Sequence, residues 1–111
     1  MLNENTLLDR FLPPARLSYL GHAYYTLREY RAAVLPLRES IARVPNMRIG
    51  HLWLAAAYAK LGKLELAQET ASEVLRIEPK FALTRWRRTA VYRNPEDEAD
   101  LLEGLQRAGL P

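Results

Sequence analysis

The chain has 111 residues, with 16 basic and 13 acidic side chains, a net charge of +3 and no cysteine. This length fits one domain with one core. The absence of cysteine excludes a disulfide framework, a thiolate nucleophile and a cysteine-based zinc site. No apolar run approaches the roughly 20 residues that cross a bilayer, and residues 1–5 lack the basic and apolar character of a signal peptide. We therefore expect a soluble, cytoplasmic protein with no membrane partner.

Two stretches of the sequence match each other at one constant offset. The matched pairs are Leu20 and Leu54, Ala23 and Ala57, Tyr24 and Tyr58, Leu27 and Leu61, Ala33 and Ala67, and Pro45 and Pro79. The leucine and tyrosine lie four residues apart, which puts them on one helix face. The prolines end a helix because proline cannot supply the next amide. The pattern predicts two helix pairs, one within residues 14–46 and one within residues 47–80.

The first helix pair departs from the second at two positions. Arg28 stands where the second pair has Gly62, a residue suited to a turn with positive φ. The sequence therefore predicts a different type of turn at Arg28. Pro36 lies inside the expected second helix, where proline is predicted to kink the chain.

The two ends of the chain do not follow the repeat closely. Residues 81–111 predict a degenerate third unit that closes the C-terminus, because terminal units of repeat proteins are usually atypical. Within it, Asn94-Pro95 followed by acidic residues predicts a capped helix start. The segment of residues 1–13 predicts either a short helix that covers the first pair or the remnant of an earlier unit. It includes the apolar residues Leu7, Leu8, Phe11 and Leu12.

The repeated residues and their spacing resemble the tetratricopeptide repeat, a helix-turn-helix unit of about 34 residues. The resemblance implies an all-α fold, a right-handed superhelical stack of antiparallel helix pairs with about three pairs and a C-terminal capping helix. The tail, from Tyr92-Arg93-Asn94-Pro95 to Gly109-Leu110-Pro111, is similar to the repeat region that closes bacterial class III adenylate and guanylate cyclases. This implies a regulatory protein whose catalytic domain lies outside this chain.

The residues present do not predict an enzyme, a metal site or a cofactor. The two histidines, His22 and His51, share neither a helix face nor a ligand spacing. Glu65, Glu69 and Glu73 are spaced as a solvated row on an outer helix face, whereas acid–base catalysis needs a buried carboxyl. No nucleophile elbow or glycine-rich phosphate loop is present.

The resemblance also implies a concave groove lined by the first helix of each pair, which would bind a protein or peptide segment. The predicted groove residues are Ser18, His22, Tyr25, Ile49, Leu52, Ala56, Leu83, Trp86, Ala90 and Arg93. The lysines and asparagines that clamp a terminal carboxylate in such grooves are replaced here, for example by Ala56 and Leu83. The groove is therefore predicted to accept an apolar amphipathic helix or extended segment. Trp86 would be its main contact unless it packs internally, and Trp53 is predicted to pack.

Two alternatives remain open at this stage. The apolar N-terminal segment could pair two copies of the chain about a two-fold axis. Less favoured is nucleic-acid binding through the basic helix Arg85–Arg93, where arginines alternate with aromatic residues. The competing interpretation of these arginines is a solvated face that pairs with Glu96, Asp97, Glu98 and Asp100.

Overall fold

The computed structural model describes residues 12–89 and 94–111, and in this part of the chain all regular structure is helical. The N-terminal segment of residues 1–11, and with it Leu7, Leu8 and Phe11, lies outside the described residues. The helices are α1 (Pro14–Thr26), α2 (Tyr30–Arg43), α3 (Arg48–Lys60), α4 (Leu64–Ile77), α5 (Leu83–Thr89) and α6 (Pro95–Arg107). None of the described helices is long and apolar enough to span a membrane.

The first four helices form two pairs whose boundaries repeat at the spacing seen in the sequence. α1 and α3 each have 13 residues, α2 and α4 each have 14, and every boundary of the first pair recurs in the second at the offset that relates Tyr24 to Tyr58. In each pair the second helix packs back against the first, and α2 also packs against α3. Ala33 and Ala67, the predicted small residues of the second helices, are fully buried. The predicted two pairs of helices are therefore present.

The turns inside the two pairs have the same conformation, so the prediction of a different turn at Arg28 was wrong. The φ angle is 65° at Arg28 and 77° at Gly62. Equivalent hydrogen bonds close both turns, from Glu29 N to the carbonyl of Tyr24 and from Lys63 N to that of Tyr58, each 2.9 Å. The fold therefore imposes a left-handed residue at this position even where the side chain is not glycine.

Pro36 lies in the middle of α2, and the helix continues through it to Arg43. The proline removes one backbone donor from the helix. Its side chain is buried among the apolar residues of the core, as is that of its neighbour Leu37. Packing therefore holds the helix together at a residue that local propensity disfavours.

α3 is the central element of the fold. Every residue from Gly50 to Ala59 is buried, because α1, α2, α4 and α6 all pack around this helix. Its run of alanines lets neighbouring helices approach closely on several sides, whereas an amphipathic surface helix would bury one stripe only. The core is thus built around the first helix of the second pair.

The C-terminal residues do not repeat the geometry of the first two pairs. α5 has only seven residues, and α6 packs chiefly against α3 and to a small extent against α4. The predicted start of α6 is confirmed, since Asn94 Oδ1 accepts a hydrogen bond of 2.8 Å from Glu96 N and Pro95 occupies the first turn. Leu83 N donates to the carbonyl of Pro111 at 2.7 Å, which ties the chain end to α5.

Candidate functional site

The predicted groove residues fall into three groups in the structure. Five are buried, namely Ser18, Tyr25, Leu52, Ala56 and Leu83. Three are partly or largely accessible, namely His22, Ile49 and Trp86. Ala90 and Arg93 lie outside the described residues. The face predicted to be an open groove is therefore accessible only in part. α6 covers two of the five buried residues.

α6 covers the C-terminal halves of α1 and α3. The hydroxyl of Tyr25 donates to the carbonyl of Asp100 at 3.3 Å. A Cβ added to Gly104 would lie 2.9 Å from the Tyr25 hydroxyl and 3.2 Å from the Cβ of Ala56. Glycine at position 104 thus lets α6 lie directly on the two predicted groove residues.

An acidic side chain of α6 lies at the centre of this contact. The carboxylate of Asp100 accepts hydrogen bonds of 2.9 and 3.1 Å from the Tyr30 hydroxyl. Lys60 Nζ lies 3.2 Å from Asp100 and 2.8 Å from Glu103, and Arg28 pairs with Asp97 at 3.0 Å. α6 is therefore held by charge-assisted contacts as well as by buried apolar side chains.

These contacts shift the pKa of several groups, among them Asp100 and Tyr30. Burial opposes ionisation of Asp100, but the hydrogen bonds from Tyr30 and Lys60 outweigh it and lower the pKa of the carboxyl group. Burial, together with the hydrogen bond to Asp100, raises the pKa of Tyr30 to about 12. Tyr30 thus remains a neutral donor to the Asp100 carboxylate at neutral pH.

The accessible part of the face is an apolar cavity between α1 and α3. Its volume is about 140 Å³, and it is lined by Ala15, Ser18, Tyr19, His22, Met47, Ile49 and Trp53. Tyr19 is 67 % exposed and Ile49 is 44 % exposed. The cavity therefore joins a recessed apolar wall to apolar side chains that face solvent.

His22 forms one wall of the apolar cavity by stacking on Trp53. The two rings are 3.9 Å apart between centroids and inclined by 23°. Burial lowers the pKa of His22, and the nearby charge of Asp97 opposes this shift in part. The imidazole is thus favoured in its neutral form, which preserves the apolar character of the wall. Trp53 is buried, as predicted.

A small buried polar cluster supports the floor of the apolar cavity. The hydroxyls of Ser18 and Ser40 lie 2.7 Å apart, and Ser40 donates to the carbonyl of Pro14 at 2.9 Å. The Met47 sulfur lies 3.1 Å from the Ser18 hydroxyl and 3.2 Å from that of Ser40. These bonds satisfy the two buried hydroxyls and fix the start of α1 and the residue before α3 in place.

Four residues that line the apolar cavity were not among the predicted groove residues, namely Ala15, Tyr19, Met47 and Trp53. Tyr19 and Trp53 directly follow the predicted positions Ser18 and Leu52 in the sequence, and Trp53 was predicted to pack. The repeat spacing specifies which face of each helix turns inward. The angle and position at which two helices cross decide which neighbouring side chains line a cavity between them. A broader apolar stripe on α1 was the only sequence signal available for Tyr19.

His51, the second histidine, and Arg87 on the basic helix α5 both contact other parts of the protein. His51 is buried, and its Nε2 lies 2.7 Å from the carbonyl of Pro45. On α5, Arg87 pairs with Glu98 at 2.7 Å, one of the acidic residues predicted to neutralise this helix. Among the described residues, no group of three or more histidine and acidic side chains is placed to hold a metal ion.

Comparison with known proteins gives no assignment for this chain. No protein-family model matches the sequence, and no curated protein is significantly similar to it.

Proposed function

We propose that this chain is a protein-interaction module of the tetratricopeptide type, which binds an apolar segment of a partner in the apolar cavity. The observation that carries the proposal is the joining of a recessed apolar wall, His22 stacked on Trp53, to the exposed side chains of Tyr19 and Ile49. Exposed apolar surface around a recess favours docking of an apolar side chain.

The helical repeat supports the proposal that this chain is a tetratricopeptide-type module. The two helix pairs have matching boundaries, with Pro14 corresponding to Arg48 and Tyr30 to Leu64, which is what the tetratricopeptide resemblance predicts. On this proposal the pairs follow a right-handed superhelical path, with α6 as the capping helix. The module works in the cytoplasm, has no catalytic role of its own, and forms part of a signalling protein related to class III cyclases, as the similarity of its tail suggests.

Burial of four predicted groove residues restricts the surface that we propose for a partner. Tyr25 and Ala56 are covered by α6, and Leu52 and Leu83 are buried. The proposed contact residues are therefore His22, Ile49 and the neighbouring Tyr19. The partner segment, an amphipathic helix or an extended strand, would place an apolar side chain against the His22–Trp53 wall.

Selection of peptides that bind the full chain, followed by affinity measurements on two variants, would test this proposal. Ile49→Glu places a charge on the cavity rim, near the start of α3, where an acidic residue is compatible with the helix dipole. The matched control is Leu64→Glu, because Leu64 is similarly exposed, at 48 % against 44 %, and does not line the cavity. Selected peptides should bind the wild type and Leu64→Glu equally and lose about tenfold or more in affinity for Ile49→Glu.

Two results would contradict the proposal. One is equal binding of the selected peptides to Ile49→Glu and to the wild type, and the other is a failure to select any peptide. Thermal unfolding of both variants checks that each remains folded.

Self-association is a second candidate function, favoured by the exposure of Tyr19 at 67 %. A second copy of the chain could cover this side chain and the apolar cavity. Sedimentation equilibrium of the wild type and of Ile49→Glu separates the two functions. A dimer that dissociates in Ile49→Glu supports self-association, whereas a monomer across the concentration range excludes it.

A further inference from the structure

A second cavity, of different chemistry, lies between the ends of three helices. It has a volume of about 250 Å³ and is lined by Arg48, Glu78, Phe81, Ala82, Arg85 and Trp86. We call it the arginine cavity. Its lining contains two guanidinium groups and one carboxylate, so positive charge is in excess. The lining residues come from the start of α3, from the connection between α4 and α5, and from α5 itself.

The neighbours of Arg48 pair with only some of the hydrogen-bond donors of its guanidinium group. Its Nε lies 3.3 Å from Glu78 Oε1, and its guanidinium lies over the Phe81 ring at 5.5 Å from the centroid. Nη1 is buried and has no hydrogen-bond acceptor among the described residues. Buried donors of a charged group are costly to leave unpaired, and Arg48 has such a donor while its side chain as a whole is 33 % exposed.

Arg85 provides the second positive charge of the arginine cavity. It is exposed on α5 and forms no ion pair with the described residues. Among the described residues, Glu78 is the only acidic one in the lining, and its side chain is 48 % exposed. A side chain with that freedom can turn toward solvent when another acceptor enters the cavity.

We propose that the arginine cavity binds an oxyanion, the phosphate or carboxylate group of a ligand, between Arg48 and Arg85. The planar fork of N–H donors in arginine matches both groups. Trp86 and Phe81 supply aromatic walls for the body of such a ligand. Glu78 is the internal competitor, because it occupies one donor of Arg48 until the oxyanion replaces it. This site is separate from the apolar cavity and does not depend on the function proposed for that cavity.

Titration of the full chain with inorganic phosphate, and separately with acetate, tests the site directly. The ionic strength is held constant with chloride, and the indole N–H signal of Trp86, assigned through Trp86→Phe, reports binding by nuclear magnetic resonance. A saturable shift is expected. Arg85→Gln should weaken binding about tenfold, since a charge-assisted hydrogen bond is lost, and Glu78→Gln should strengthen it.

Arg88→Gln is the matched control, because it removes the same charge from the same helix at a residue that does not line the cavity. It should leave the affinity unchanged. Saturation by phosphate alone assigns a phosphate group, and saturation by acetate assigns a carboxylate. The site is rejected if neither anion saturates the shift, if Arg88→Gln weakens binding as much as Arg85→Gln, or if Glu78→Gln does not strengthen it. Unchanged melting temperatures establish that the variants are folded.

Discussion

Lys60 on α3 and Asp100 on α6 form an ion pair of 3.2 Å in which the lysine side chain is only 9 % exposed and the aspartate only 16 %. Tyr30 from α2 donates to the same carboxylate, and Arg28 lies 3.7 Å from it. One carboxylate thus joins α6 to both helix pairs. This arrangement explains why α6 lies on the face predicted to be a groove.

Replacing Asp100 with asparagine should destabilise the fold by about 2 kcal/mol, because the charged acceptor of Tyr30 and Lys60 is lost from a largely buried position. Urea unfolding followed by circular dichroism measures the loss. Glu69→Gln, at an exposed residue of α4, is the control and should change stability by less than about 0.5 kcal/mol. Equal effects of the two substitutions would show that Asp100 does not hold α6.

The lowered pKa of Asp100 predicts a loss of stability in acid. A carboxyl group whose pKa is lower in the folded state contributes stability above its ordinary value of 3.8, and that contribution disappears as the pH falls toward the folded value. The unfolding free energy should therefore fall below about pH 4. The fall should be smaller in Asp100→Asn, which lacks the titrating group, and parallel pH profiles for the two proteins would refute this assignment.

Gly62→Ala should destabilise the protein by about 1 kcal/mol, because an alanine at this φ of 77° adopts a left-handed conformation. A Cβ at this position would meet no atom within 4 Å, so the effect comes from the backbone alone. Thermal unfolding measures it. Gly62→Asn should cost less than alanine, since asparagine tolerates the left-handed region better, and the reverse order would contradict the explanation.

Gly104→Ala should destabilise the protein by about 1–2 kcal/mol although alanine favours helix, because overpacking against α1 and α3 exceeds the gain in propensity. The added Cβ would lie 3.3 Å from the Ala56 carbonyl oxygen as well as close to the Tyr25 hydroxyl. Urea unfolding of the single variants and of Gly104→Ala combined with Tyr25→Phe measures the coupling. The double variant should lose less than the sum of its parts, and additive effects would place the strain elsewhere.

Much of the helical architecture could be predicted from the sequence because its signals are local. The constant offset that relates Tyr24 to Tyr58 located both helix pairs, and Asn94-Pro95 located the start of α6. These signals act through helix periodicity, proline and capping, which depend on residues a few positions apart. The turn at Arg28 was predicted incorrectly because packing of the pair enforces a backbone conformation that arginine alone disfavours.

Local sequence signals did not determine which of the predicted groove residues are accessible to solvent. The groove geometry implied by the tetratricopeptide resemblance pointed to His22 and Ile49, which line the apolar cavity, and equally to Tyr25 and Ala56, which α6 covers. Docking of α6 depends on Asp100 meeting Lys60 and Tyr30, which lie far from it in the sequence. The sequence by itself determined the helices and their inward faces, because periodicity and capping are local properties. Only the tertiary structure decided which inward residues remain accessible, because that depends on where a distant helix finds complementary charge and space.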